Sequence, residues 1–149
     1  MSSVSAKPIR WKLVDLIQVA LPDSLVYRYA KSDFQSAAPV VTITSTAIDR
    51  SQDSAMGGCT RKSAFGLTVN VFAPYPTQSM DGAWSEEDTE DQADEIETLV
   101  ADVVRSNRNA AGFWKHIKHS APNQITYPVI SGRAYRHITI PVIAEVFNE

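Results

Sequence analysis

Apolar positions recur at spacings of three and four early in the chain, where Ile9, Leu13, Leu16, Ile17 and Ala20 share one stripe. That spacing predicts an amphipathic helix over residues 8–21, with Pro8 in its first turn and Pro22-Asp23 as its stop. The period then changes to two. From Ser24 to Ala30, Leu25, Tyr27 and Tyr29 alternate with Val26 and Arg28; from Pro39 to Asp49, Val41 and Ile43 oppose Val40, Thr42 and Thr44. Both read as strands, the second on its density of β-branched residues. Residues 50–60 break every periodicity and read as a hairpin loop. Arg61 to Ala73 then alternates strictly, with Phe65, Leu67, Val69, Val71 and Ala73 on one face. The connection from Pro74 to Trp84 is long for a compact domain, and such loops are often binding elements.

Ser85 is placed to cap a helix whose first turn, Glu86-Glu87-Asp88, sets negative charge at the positive end of the dipole. Ile96, Leu99, Val100, Val103 and Val104 carry its apolar stripe to about Arg105. Ala110 to His119 is predicted to add a short helix burying Phe113, Trp114 and Ile117. Two final runs, Gln124–Ile130 and Ala134–Phe147, flank the tight-turn signal Ser131-Gly132-Arg133 and predict a hairpin. Pro128 and Pro141 lack amide donors and belong at strand edges, ends or bulges. The order helix, three strands, helix or helices, two strands predicts an α+β fold. Its antiparallel or mixed sheet has about four to five strands, with two or three helices packed on one face.

Composition narrows this picture. A chain of 149 residues, 44% hydrophobic and 21% charged, is neither disordered nor fibrous and suits a single domain, 1–149. The lone Cys59 excludes an internal disulfide or multi-cysteine metal site and fits a reducing compartment. Lys7, Arg10 and Lys12 precede an apolar stretch, as in a signal peptide. Asp15 and Gln18 interrupt that stretch, however, and no small-residue cleavage site follows. A soluble, cytoplasmically made chain with no membrane partner is expected.

Charge is strongly segregated. No Lys or Arg lies between Lys62 and Arg105, and ten of the seventeen acids fall between Asp81 and Asp102. Arg105, Arg108, Lys115, Lys118, Arg133, Arg136 and all three histidines come later. Two readings stand: a solvated acidic helix face, or a head-to-tail contact between the acidic patch of one copy and the basic patch of the next.

Candidate chemistry is sparse. His116-x-x-His119 on a helix, with His137, offers three imidazoles, yet the His-Glu-x-x-His spacing of a zinc site is missing. Cys59 follows Gly57-Gly58, with no base positioned to activate it. The sequence has no nucleophile elbow, phosphate loop or dinucleotide fingerprint. The acids of residues 85–97 sit at exposed helical positions, whereas catalytic carboxylates need burial to separate their pKa values. Aromatics interleaved with cations over 105–136 suit single-strand binding, but Phe113 and Trp114 serve a core better and the chain is acidic overall. No enzyme activity and no cofactor are expected.

Several stretches together resemble the tail terminator proteins of long-tailed bacteriophages. They are the opening helix Trp11-Lys12-Leu13-Val14-Asp15-Leu16-Ile17 and the proline-led strand Ala38-Pro39-Val40-Val41-Thr42-Ile43. Further on come the strand Leu67-Thr68-Val69-Asn70-Val71-Phe72-Ala73, the acidic-started helix Asp91 to Val104, and the closing strand Tyr135-Arg136-His137-Ile138-Thr139-Ile140-Pro141-Val142. The resemblance implies a non-enzymatic virion protein, assembled in the bacterial host cytoplasm. It would form a hexameric ring that caps the tail tube, stops its polymerisation and joins the tail to the head. Implied partners are further copies of the chain, the tail tube protein, a head-completion or neck protein and, as a further candidate, a tail sheath protein. Genomic DNA would pass through the ring without sequence-specific binding.

On this reading Glu86, Glu87, Asp91, Asp94, Glu95, Arg133 and Arg136 are candidates for the subunit interface or channel lining. Asp53, Ser54, Met56, Gly57 and Gly58 are candidates for a partner-docking arm, against the plainer reading of an unengaged connection. The alternatives are another neck or head-completion protein, of the stopper or connector kind, and a small α+β enzyme built on His116, His119, His137 or Cys59. Retained metal or an unusually acidic thiol would favour the enzyme.

Overall fold

The computed structural model describes residues 5–30, 39–50, 61–76 and 85–148. Helix α1 spans Ala6–Ala20, and the Ser5 hydroxyl accepts the Lys7 amide at 3.2 Å. Its start lies two positions before the predicted one because Ser5 supplies the cap; Pro8 falls in the first turn, as expected, where no amide donor is needed. Strand β1 (Leu25–Tyr27) covers only the centre of the expected run 24–30 and pairs in parallel with β2 (Val40–Asp49). Next, β2 pairs antiparallel with β3 (Arg61–Pro74). Strand β7 (Arg133–Asn148) runs antiparallel along the whole other side of β3, from Asn148 opposite Arg61 to Tyr135 opposite Pro74.

Helix α2 (Glu86–Ser106) opens with a reciprocal capping box. The Ser85 amide donates to Asp88 Oδ2 at 2.8 Å, and the Asp88 amide donates to Ser85 Oγ at 3.2 Å. One turn on, the buried Thr89 hydroxyl donates to the Pro74 carbonyl at 3.0 Å and pins the helix to the end of β3.

The helix expected over 110–119 is absent. After α2 the chain makes a tight turn in which Ala110 and Trp114 bridge and Gly112 adopts φ +83°. The buried Trp114 ring donates its indole N–H to the Asn107 carbonyl at 2.8 Å. Residues 116–119 then form an edge strand, β4, against β7. Helical spacing of Phe113, Trp114 and Ile117 misled here, because Gly112 takes a backbone conformation that no helix contains.

The sheet therefore has seven strands, more than the four to five expected, and two helices are present among the described residues. The excess arises because residues 116–130 lie along one edge of β7 in three pieces: β4, β5 (Gln124–Thr126) and β6 (Val129–Ile130). Prolines cause part of the division. Pro128 separates β5 from β6. Pro141 sits inside β7, but its carbonyl accepts from the Ser120 amide on the β4–β5 side at 3.1 Å. Since N–H and C=O of one residue point the same way in an antiparallel ladder, the missing Pro141 donor faces the break between β4 and β5. The hairpin from β6 to β7 turns through Ser131 and Gly132 at φ +52° and +79°, a type I′ signature that fits the turn predicted there.

Both helices pack on one face of this α+β sheet. Ile9, Leu13 and Ile17 of α1 and Ile96, Val100 and Val104 of α2 meet Ile43, Leu67, Val69, Val71, Ile138 and Ile140 in one contiguous core. On the opposite face a smaller cluster joins Val40 and Tyr135 with Tyr27, Phe72 and Ile130.

Candidate functional site

Three clusters of polar and charged side chains emerge from this frame. The first joins α2 to β7. Glu90 and Asp94 are one helical turn apart, so both reach Arg136 of β7, at 3.5 and 3.2 Å. Arg136 is only 8% exposed, whereas its two partners are largely solvated. Arg136 Nη1 also donates to the Tyr127 hydroxyl at 3.2 Å. Burial opposes the Arg136 charge, but the Asp94 carboxylate outweighs it and holds the guanidinium pKa above its ordinary value. Nearby, burial raises the Tyr75 phenol, which stays neutral and donates to Glu90 Oε1 at 3.5 Å. Arg133 reaches the Tyr75 carbonyl at 3.4 Å.

Of the residues singled out from the sequence, then, Arg136 is engaged inside the fold. Asp94 is shared between that pair and solvent. Glu86, Glu87, Asp91 and Glu95 stand exposed on α2. Asp91, Asp94, Glu95, Thr98 and Leu99 line one shallow surface groove, with Leu99 41% exposed at its end. The candidate docking residues Asp53, Ser54, Met56, Gly57 and Gly58, and Cys59 with them, lie outside the described residues.

The second cluster is basic. A cleft of about 370 Å³ between the C-terminal end of α2 and β4 is lined by Arg105, Arg108, His116, Ile117, Lys118 and His119. Its Arg105 lies about 21 Å along the α2 axis from Asp91, at 1.5 Å per residue. Because His116 and His119 occupy a strand and not a helix, an odd spacing sends them to opposite faces of the sheet. They cannot converge on one metal ion as a helical pair would, and among the described residues no three potential ligands stand together.

His137 belongs to the third cluster, on the sheet face away from the helices. Its ring stacks on Phe72 at 4.3 Å and 11°. Nε2 lies 2.9 Å from Asn70 Oδ1 and Nδ1 3.1 Å from the Thr126 hydroxyl. The Asn70 oxygen only accepts, so Nε2 carries the proton and Nδ1 accepts from Thr126. Burial lowers the His137 pKa below its ordinary value. A neutral, doubly hydrogen-bonded imidazole at this place acts as a structural tie between β3, β5 and β7.

Sequence reasoning did not anticipate the Arg136 network or the setting of Trp11. Trp11 is 39% exposed, with Lys7 Nζ 4.6 Å and the Arg28 guanidinium 4.3 Å from its ring centre. A signal existed for one of them: Glu90 and Asp94 are four apart on a predicted helix, whereas Lys7 precedes the helix predicted over 8–21. Their partners, Arg136 and Arg28, come from elsewhere in the chain. No protein-family model and no curated protein matches the sequence.

Proposed function

We propose that this chain is a tail terminator: a virion structural protein that closes into a ring on the end of a phage tail tube, stops tube growth and presents its other surface for joining to the head. The observation that carries the reading is the charge division of α2. Its exposed stripe is acidic at Asp91, Asp94 and Glu95, and its end opens on the basic cleft of Arg105, Arg108 and Lys118. A surface bearing both signs at separate places complements a second copy of itself, and repeated head-to-tail contacts either close as rings or run on as filaments. The sequence resemblance selects the closed form and the tube as partner. An acidic chain also favours DNA passage, since phosphate contacts would retard it.

Native mass by light scattering, with negative-stain imaging, tests this reading. Six copies of the 16.4 kDa chain give about 98 kDa with a central hole. Mixing with purified tail tubes is the second arm. Particles seated on tube ends support the terminator, while binding to filled heads in preference to tubes points to a stopper or connector. Retained metal in a monomer that ignores both would overturn the structural reading in favour of an enzyme.

A further inference from the structure

Six of the ten exposed large hydrophobic side chains among the described residues stand in two groups, at the two lateral edges of the sheet. At the β1 edge stand Trp11, Leu25 and Tyr29; at the edge formed by β5 and β6 stand Ile125, Tyr127 and Val129, the last 70% exposed. Four inter-strand steps separate these edges, about 19 Å at the usual spacing. Their charged surroundings are opposite in sign. Trp11 is flanked by Lys7 and Arg28, and residues 5–30 hold four cations against two anions. The other edge runs beside α2, which holds nine anions against one cation. The Asn123 amide there donates to Glu97 Oε1 at 2.7 Å, and Tyr127 reaches the Arg136 that binds Glu90 and Asp94. One cation among these three carboxylates leaves the rim negative.

Resting on the ring-forming reading above, we infer that copies of this chain join by seating the Trp11 edge of one protomer on the Tyr127 edge of the next. The match is twofold: apolar surface meets apolar surface, and the basic rim of Lys7 and Arg28 meets the acidic rim of Glu90, Asp94 and Glu97. Aromatic and aliphatic anchors ringed by charge are the usual anatomy of a specific contact. Because the two surfaces lie on opposite edges, the contact is heterologous: each copy uses both edges, and no twofold pair satisfies them at once.

Two full-length variants test this, one blocking each edge: Trp11→Glu with Arg28→Glu, and Ile125→Lys with Val129→Lys. Circular dichroism and urea unfolding establish that each is folded. Wild-type chain is expected to rise above 16.4 kDa with concentration in analytical ultracentrifugation. Each variant alone should remain a monomer. Mixed together they should form a species of two chains and no larger one, since only one intact edge of each kind remains. Folded variants that still assemble, or a mixture that stays monomeric, would overturn this contact. A six-copy ring persisting in both variants would leave the ring reading standing without it. Wild-type chain that stays at 16.4 kDa at millimolar concentration would remove the self-association itself, leaving the terminator reading to tube binding.

Discussion

Arg136 Nη2 donates to Asp94 Oδ1 at 3.2 Å, a bond between strand β7 and the middle of α2, across 42 positions of chain. The cation is buried and the anion is not, so the two ends are not equivalent to mutation. Arg136→Met leaves Glu90 and Asp94 in water and should cost about 1–2 kcal/mol of lost charged hydrogen bonds. Glu90→Gln with Asp94→Asn strands the guanidinium and should cost more, about 3 kcal/mol. Urea unfolding of the two variants checks the order; equal losses would mean that the Arg136 charge is not paying for its burial through these carboxylates.

His137 makes stability depend on pH. Its folded pKa lies below the ordinary 6.5 because burial disfavours the imidazolium. Above that value the ring is neutral in both states and nothing changes. As pH falls through 6.5 the unfolded chain takes up the proton first, so stability declines until pH passes the folded value. His137→Gln should flatten this decline between pH 7.5 and 5. An unchanged slope in the variant would assign the decline to other groups.

Gly66 faces the bulge at Ser45/Ala47, where a Cβ on Gly66 would stand 3.2 Å from Ala47 Cβ. Gly66→Val should therefore overpack this point and cost about 1–3 kcal/mol. Ala47→Gly in the same chain should restore part of the loss, and a thermal-denaturation double-mutant cycle reads the coupling. Strict additivity would show that the close approach is not what excludes a larger side chain.

Asp91 and Glu95 are exposed and lie one turn apart on α2. Asp91→Lys with Glu95→Lys should leave monomer stability within about 0.5 kcal/mol, as surface changes usually do. Assembly should weaken, with the native mass falling well below that of six copies and with tails no longer uniform in length. Rings and tail lengths unaffected by the reversal would exclude this stripe from the interface.

Much of the frame was legible from periodicity alone. Strands β2, β3 and β7 and helices α1 and α2 each bury one face, and burial of one face writes a period of two or of 3.6 into the residues. Ser85 with its acidic first turn marked the start of α2 to the residue, because a cap is a local contact three positions long. The turn at Ser131-Gly132 was visible for the same reason: positive φ is a demand on particular residues.

The other features depend on contacts between segments far apart in sequence. Residues 116–119 became a strand because the outer edge of β7 accepted them, and Trp114 anchored the turn before them on the Asn107 carbonyl. This changed the meaning of His116 and His119, which a helix would place together and a strand sends to opposite faces. Likewise Arg136 read as a candidate for the subunit interface or channel lining until β7 set it beneath Glu90 and Asp94. Local pattern records which side of an element is apolar. Which elements meet, and therefore which charges are spent inside the fold and which remain at its two edges, follows from packing that no short window of sequence contains.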